Sequence, residues 1–227
     1  MTTTNLPVLA ILGGTGDLGT GLARRWAQAG YMVIIGSRTL EKAEAAVADL
    51  REVMAERGVS EVTVQAMSNL DAAAAAEIIT LTVPFSHQVS TLEGVRAQLQ
   101  GKILIDVTVP LVPPRVARVQ LPKEGSAGQI AQELLGEEVR VVSAFQNVAA
   151  AHLQEGKGVE CDVLVSGNKK EAREQVISLV EAAGMRGFHA GMINNAAAAE
   201  ALTSVLIAIN KQYGCHAGIK ISGLGDA

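Results

Sequence analysis

Aromatic side chains are scarce, at 3% of 227 residues, so the 48% hydrophobic fraction rests on small and aliphatic residues. With 23 glycines and many alanines, that balance describes helices packed tightly against a sheet, with small side chains at the contacts. A basic excess is missing too. Lys and Arg number 19 against 23 Asp and Glu, a net charge of -4, so nucleic acid and anionic membrane are poor partners for the surface as a whole. Any anion site must be local. Cysteine is limited to Cys161 and Cys215, which form no CxxC pair and no ligand cluster. That fits a reducing compartment, argues against a structural zinc site, and leaves both to be read as small buried hydrophobes. Long apolar runs are absent: the most apolar late stretch, residues 196–209, falls short of the roughly 20 residues that span a bilayer and reads as a buried helix. Residues 1–7 lack a basic region followed by an apolar run, so no secretory signal is expected and the cytoplasm is the expected location.

What is present is alternation. Short apolar runs at 8–13, 32–37, 62–66, 78–83, 103–107 and 139–144 read as strands, and the intervals 16–29, 40–57, 72–76, 87–99 and 129–135 read as helices. Strand–helix alternation of this kind predicts a parallel sheet with crossover helices. The exception is 109–125, where Pro110, Pro113, Pro114 and Pro122 exclude regular helix or central strand and predict a long loop after a strand end. Beyond Phe145 the pattern thins to a strand at 163–166, a helix at 170–183, a short strand at 187–190 and the Ala-rich final helix. The expected division is residues 1–144 for the main α/β unit and 145–227 for a C-terminal segment on the substrate side.

The sharpest motif is Val8-Leu9-Ala10-Ile11-Leu12-Gly13-Gly14-Thr15-Gly16-Asp17-Leu18-Gly19, a strand running into a GxGxxG turn and a helix. Gly14 is expected to permit the tight turn, Gly16 to let the backbone approach a pyrophosphate, and Gly19 to let helix and strand pack closely. Free N–H groups and the helix dipole then favour phosphate at the helix N-terminus. Glycine turns alone are weak signals, but strand, turn, helix and second strand stand in the required order. A Rossmann-type, doubly wound α/β sheet that binds a dinucleotide is the reading.

The second strand ends in Ser37-Arg38-Thr39, where an NAD-binding chain usually carries a carboxylate for the ribose 2′-hydroxyl. Ser37 offers a hydrogen bond to a 2′-phosphate, Arg38 pairs with it and stacks on adenine, and Lys42 adds charge one turn later. This trio points to NADP. A solvated cation pair is the plain alternative, yet cations at a helix start oppose the dipole. The fourth strand's end, Thr82-Val83-Pro84-Phe85, borders the adenosine side, with Phe85 and Val89 placed to cover adenine, and the fifth, Asp106-Val107-Thr108, belongs beside the nicotinamide.

A general acid–base group for a hydroxyl proton is hard to find. Tyr31 and Tyr213 form no YxxxK pair, and His87, His152, His189 and His216 are scattered. Hydride exchange between two redox cofactors needs no such group.

Taken with Glu41-Lys42-Ala43, Leu81-Thr82-Val83-Pro84, Pro110-Leu111-Val112-Pro113, Val141-Val142-Ser143-Ala144 and Gly218-Ile219-Lys220, the glycine motif and Gly36-Ser37-Arg38 give a chain that resembles the NADPH-dependent reductases of coenzyme F420 over almost its whole length. The resemblance implies hydride transfer between NADPH and the deazaflavin F420, with no catalytic side chain and no metal. It places Gly14, Thr15, Gly16, Asp17, Leu18, Ser37, Arg38, Lys42, Thr82, Val83, Pro84, Phe85, Val89 and Ala150 on NADP. It places Gln146, Asn147, Val148 and Asn194 on the deazaflavin, in a groove between the main unit and the C-terminal segment. The family often carries His where this chain has Gln146, whose amide still offers a hydrogen bond to a deazaflavin carbonyl. The implied partners are these small redox molecules and a second copy of the chain, meeting through the apolar helix at 196–209. Two other readings stay open on the sequence: electron delivery to another flavin or a metal acceptor, as in ferric reductases, and an NADPH-sensing binding protein.

Overall fold

Leu9–Leu12 (β1), Val33–Ser37 (β2) and Ile78–Leu81 (β4) are buried along their whole length, as strands covered on both faces must be. The computed structural model describes residues 6–59, 61–155 and 158–223. With β3 (Val64–Ser68), β5 (Ile103–Asp106), β6 (Arg140–Ser143), β7 (Asp162–Gly167) and β8 (Arg186–His189), they form one sheet in the order β3-β2-β1-β4-β5-β6-β7-β8. The first six strands are parallel in the doubly wound order, which reverses between β1 and β4. β7 then joins β6 antiparallel, with Val142 opposite Gly167, and β8 runs parallel to β7. The C-terminal segment thus extends the same sheet.

Period-2 alternation divides the core in two. Leu9, Ile11, Val33 and Ile35 face one side, where α1 (Asp17–Gln28), α2 (Leu40–Glu56) and α7 (Lys170–Ala182) cover them. Ala10, Leu12, Ile79 and Leu104 face the other, under α3 (Asn69–Ala75), α4 (Gln88–Val95), α5 (Ala127–Leu135) and the start of α8 (Ala196–Tyr213). On the first side Trp26 stacks edge-on against Phe145 with centroids 6.0 Å apart, and its indole N–H donates to the Leu179 carbonyl at 2.8 Å. One buried ring therefore joins the first helix to the C-terminal segment.

Local departures from the sequence reading have physical causes. β3 lies two residues later than expected, because pairing with β2 sets Val33 opposite Val64. α3 starts at Asn69 rather than Ala72, since Ser68 Oγ accepts from the Asp71 N–H at 3.1 Å and donates to its carboxylate at 2.7 Å, a reciprocal cap. The helix expected over 87–99 is α4 flanked by 3-10 turns at Phe85–His87 and Arg96–Leu99. A short helix, α6 (Ala150–Gln154), was not expected; its carbonyls are taken by Arg25, which reaches His152 O and Leu153 O at 2.7 and 3.0 Å, and by Arg57 on Gln154 O at 2.5 Å. α8 runs four residues past 209, to a glycine stop at Gly214 with φ +62°. Cys161 is buried as expected, but Cys215, beyond the helix end, is exposed. Among the described residues no helix is long and apolar enough to cross a membrane, and no acidic, His or Cys cluster has the makings of a metal site.

Candidate functional site

The carboxyl ends of β1, β2, β4 and β5 open into one cleft of about 530 Å³, at the point where the strand order reverses. Its floor is the glycine turn. The left-handed φ of +68° falls on Gly13 rather than Gly14, and a Cβ there would lie 2.5 Å from Val83 Cγ1. Gly14 is small for another reason: a Cβ would meet the Ile11 carbonyl at 2.7 Å. A Cβ on Gly19 would come within 2.7 Å of Gly14 Cα, so the close packing of helix on turn requires glycine on both sides. At Gly16, by contrast, a Cβ would meet nothing within 4 Å. That open cradle, at a helix start with no side-chain cap, leaves backbone donors for an anion, and it fits a pyrophosphate.

Side chains just past the ends of β3 and β4 hold the turn. Asn69 Oδ1 accepts from the Gly13 N–H at 3.2 Å, and both the N–H and the hydroxyl of Thr82 donate to the Leu12 carbonyl at 3.0 Å. Asn69 lines the cleft and was missed on the sequence, although the Ser68-x-x-Asp71 cap marks the helix start that aims it. At the β2 end Ser37 is buried with its oxygen accepting from the Thr39 N–H at 3.2 Å, so its O–H is the half left for a ligand. Arg38 and Lys42 stand exposed at the same rim, and neither has an ion-pair partner among the described residues.

The cleft thus brings together Thr15, Gly16, Asp17, Leu18, Ser37, Arg38, Lys42, Thr82, Val83, Pro84 and Phe85. Val107, Thr108, Val109 and Leu111 complete the far wall, and His87 is the one histidine among the lining residues. Gly14 is buried outside the lining, and Val89, also outside it, is 41% exposed at the start of α4. Gln146, Asn147, Val148, Ala150 and Asn194 fall outside this lining. Asn147 is buried with its amide on the Asp162 carbonyl at 2.7 Å and on Cys161 Sγ at 3.2 Å, and Asn194 is exposed. The chain before them turns sharply: Phe145 alone among described non-glycine residues holds a left-handed φ, of 71°. The Gln146 amide donates toward the Asp106 carbonyl and Ser143 Oγ, both at 2.8 Å, while its buried side-chain oxygen has no partner among the described residues.

Behind the far wall lies a buried polar group that sequence patterning did not disclose. Gln88, fully buried, directs its amide nitrogen at Asp106 Oδ2 (2.5 Å), Ala127 O (2.8 Å) and Thr108 Oγ1 (3.0 Å), joining the start of α4 to the β5 end and the start of α5. Glu200 of α8 accepts from the Ala127 and Gly128 N–H groups at 2.7 and 3.0 Å, so it caps α5 from another helix. Burial raises the Asp106 carboxyl despite its bonds to Thr108 and Gln88. Burial likewise pushes Glu200 up to about 8, the two N–H donors opposing the rise and Asp106 adding to it. The remaining histidines sit elsewhere, His152 against the His216 carbonyl at 2.8 Å and His189 beside Arg173 at 3.3 Å.

Residues 8–110 match the family described as NADP oxidoreductase, coenzyme F420-dependent. The F420-dependent NADP reductase of Methanocaldococcus jannaschii is 39% identical over 222 residues, 95% of this chain and 98% of that one. The enzyme of the same name from Methanothermobacter thermautotrophicus is 40% identical over 225 residues, 96% of each chain. Among solved structures, one from an Arthrobacter species, named provisionally as an F420-dependent NADP reductase, superposes with a TM-score of 0.78 at 28% identity, covering 96% of this chain and all of that one.

Proposed function

The chain belongs to the F420-dependent NADP reductases, and from that premise we propose how its residues divide the work of moving a hydride between NADPH and coenzyme F420. The observation that carries the NADP half is the end of β2, where a buried serine hydroxyl and two cations, Arg38 and Lys42, with no ion-pair partner among the described residues, stand in place of a carboxylate. Ser37, Arg38 and Lys42 hold the 2′-phosphate, with Thr15 beside them. Gly16, Asp17 and Leu18 receive the pyrophosphate at the start of α1. Thr82, Val83, Pro84 and Phe85 form the wall along the adenosine, which leaves the nicotinamide toward β5.

The second substrate is assigned to the β5–β6 side, with Gln146, Asn147, Val148 and Asn194 shaping its groove and Ala150 on the NADP side. Gln146 contributes the orphaned amide oxygen; Asn147 acts from behind, tying the β6 end to β7. This gives residues 1–144 the NADP site and 145–227 the deazaflavin side. NADPH supplies the hydride, and what the chain supplies is position: two planar reactants held at close range in a walled cleft. The test is NADPH carrying deuterium at C4. The label is expected at C5 of reduced F420, and single replacements of His87, His152, His189 or His216 by Gln should leave turnover within about tenfold, because an obligatory proton donor contributes about 10²–10⁴-fold. Label lost to water, or a several-hundredfold loss at one histidine, overturns direct transfer.

The cytoplasm is the proposed location, supported by two cysteines that stay free thiols. A homodimer through the C-terminal half is the proposed assembly. α8 buries Ala199, Ser204 and Leu206 inward yet leaves Val205 44% exposed, with the half-buried Leu202 and Ile209 one turn to either side of it. Sedimentation should give a dimer at micromolar concentration, and Val205→Glu should shift it toward monomer. A monomeric wild-type chain removes the assignment.

A further inference from the structure

We propose that the proline-rich loop after β5 is the subsite for the anionic side chain of the deazaflavin, with Arg115 and Arg118 as its cationic contacts. The inference rests on the assignment of F420 as second substrate and adds where its charged portion binds. Between Asp106 and Glu124 the chain carries Arg115, Arg118 and Lys123 and no acid, in a protein of net charge -4. The loop leaves the cleft directly, since Val107, Thr108, Val109 and Leu111 are part of the wall. Two consecutive turns then shape it: the Arg115 N–H donates to Val112 O and the Arg118 N–H to Arg115 O, each at 3.0 Å. Both arginines are exposed, and neither side chain has an ion-pair or hydrogen-bond partner among the described residues. Lys123 is occupied by Glu124 at 3.6 Å.

Adjacent residues of α8 fix where this turn lies. Ser204 Oγ donates to the Arg118 carbonyl at 3.3 Å, and Thr203 Oγ1 donates to the Gln146 carbonyl at 2.7 Å. The arginine turn therefore sits beside the deazaflavin side. Arg38 and Lys42 occupy the β2 end, on the far side of β1, β4 and β5, so the 2′-phosphate already has its own cations. Coenzyme F420 carries a phosphodiester and glutamyl carboxylates on the chain attached to its ring, and planar guanidinium groups suit both kinds of oxyanion.

Binding of oxidised F420, followed by its own fluorescence with no NADP present, is compared with binding of the same deazaflavin lacking the phosphodiester and glutamyl chain. The double variant Arg115→Glu/Arg118→Glu should bind F420 about tenfold or more weakly, the loss shrinking in high salt, while the tail-free ring binds as to wild type. Arg115→Gln/Arg118→Gln should fall between, and melting curves should show both variants folded. Equal weakening of the two ligands, unchanged binding of both, or a rise in KM for NADPH alone overturns the subsite. A wild-type chain that binds neither deazaflavin overturns the assignment of F420 itself, and the subsite with it.

Discussion

Replacing Arg38 by Ala should cut the ratio of kcat/KM for NADPH over NADH by about ten- to a hundredfold, nearly all of it through a higher KM for NADPH. A hydrogen bond between charged groups contributes about 1.5–3 kcal/mol, and each 1.4 kcal/mol is a factor of ten. Arg38 is exposed at the rim, so solvent and salt screen part of this and the lower half of the range applies at physiological ionic strength. NADH should be handled as before, because a 2′-hydroxyl never made the lost bond, and Lys42→Ala should act in the same direction with a smaller effect. The check is steady-state kinetics with both nucleotides at two salt concentrations. A preference that survives Arg38→Ala intact, or a wild-type chain that uses both nucleotides equally, removes the β2 end as the specificity determinant.

Those features were legible because they are local. The GxGxxG turn and the Ser37-Arg38 pair lie within a few residues of the strands that present them, and buried parallel strands announce themselves as unbroken apolar runs. Even so, the motif did not say that Gly13 carries the positive φ, nor that Val83, just past the end of β4, leaves no room for a Cβ there. The α6 helix was invisible for a related reason. Its sequence, AAHLQ, is too short to signal a helix, and it is held by Arg25 and Arg57 from the first two crossover helices.

Polar residues that work from inside were the least legible. Gln88 and Glu200 stand in helices where a polar side chain reads as solvent-facing, and only the assembled sheet brings Asp106, Ala127 and Gly128 up to meet them. Cys215 errs in the opposite sense. It reads as a small buried hydrophobe because it has no metal or CxxC partner in sequence, but the chain has already left the core at Gly214. Asn147 sits in a segment matched to the substrate side, yet its amide is spent on the Asp162 carbonyl. A motif gives the neighbourhood of such a residue, and the hydrogen-bond partners decide which way it faces.

Glu200 gives the largest expected effect on stability, and its pH dependence has a definite sign. Burial lifts its carboxyl from an ordinary value of 4.5 to about 8 in the folded chain, so between those values the folded state holds a proton that the unfolded state has released. Stability from this group is therefore fully present below about pH 4.5 and is lost as pH rises through about 8, at up to about 1.4 kcal/mol per pH unit for one proton. Asp106, also raised by burial, adds to the same trend. Glu200→Gln keeps the volume and one acceptor for the Ala127 and Gly128 donors while removing the titration, so its stability should fall less steeply than wild type between pH 5 and 8. Glu200→Ala removes both acceptors and leaves two buried N–H groups at the start of α5 unpaired, each costing about 1–3 kcal/mol, so it should be markedly less stable at every pH. Urea unfolding of the three proteins across that range measures the difference. Parallel pH profiles for wild type and Glu200→Gln would show that Glu200 titrates normally, and that its place beneath the cleft is held by the two N–H groups as an anion.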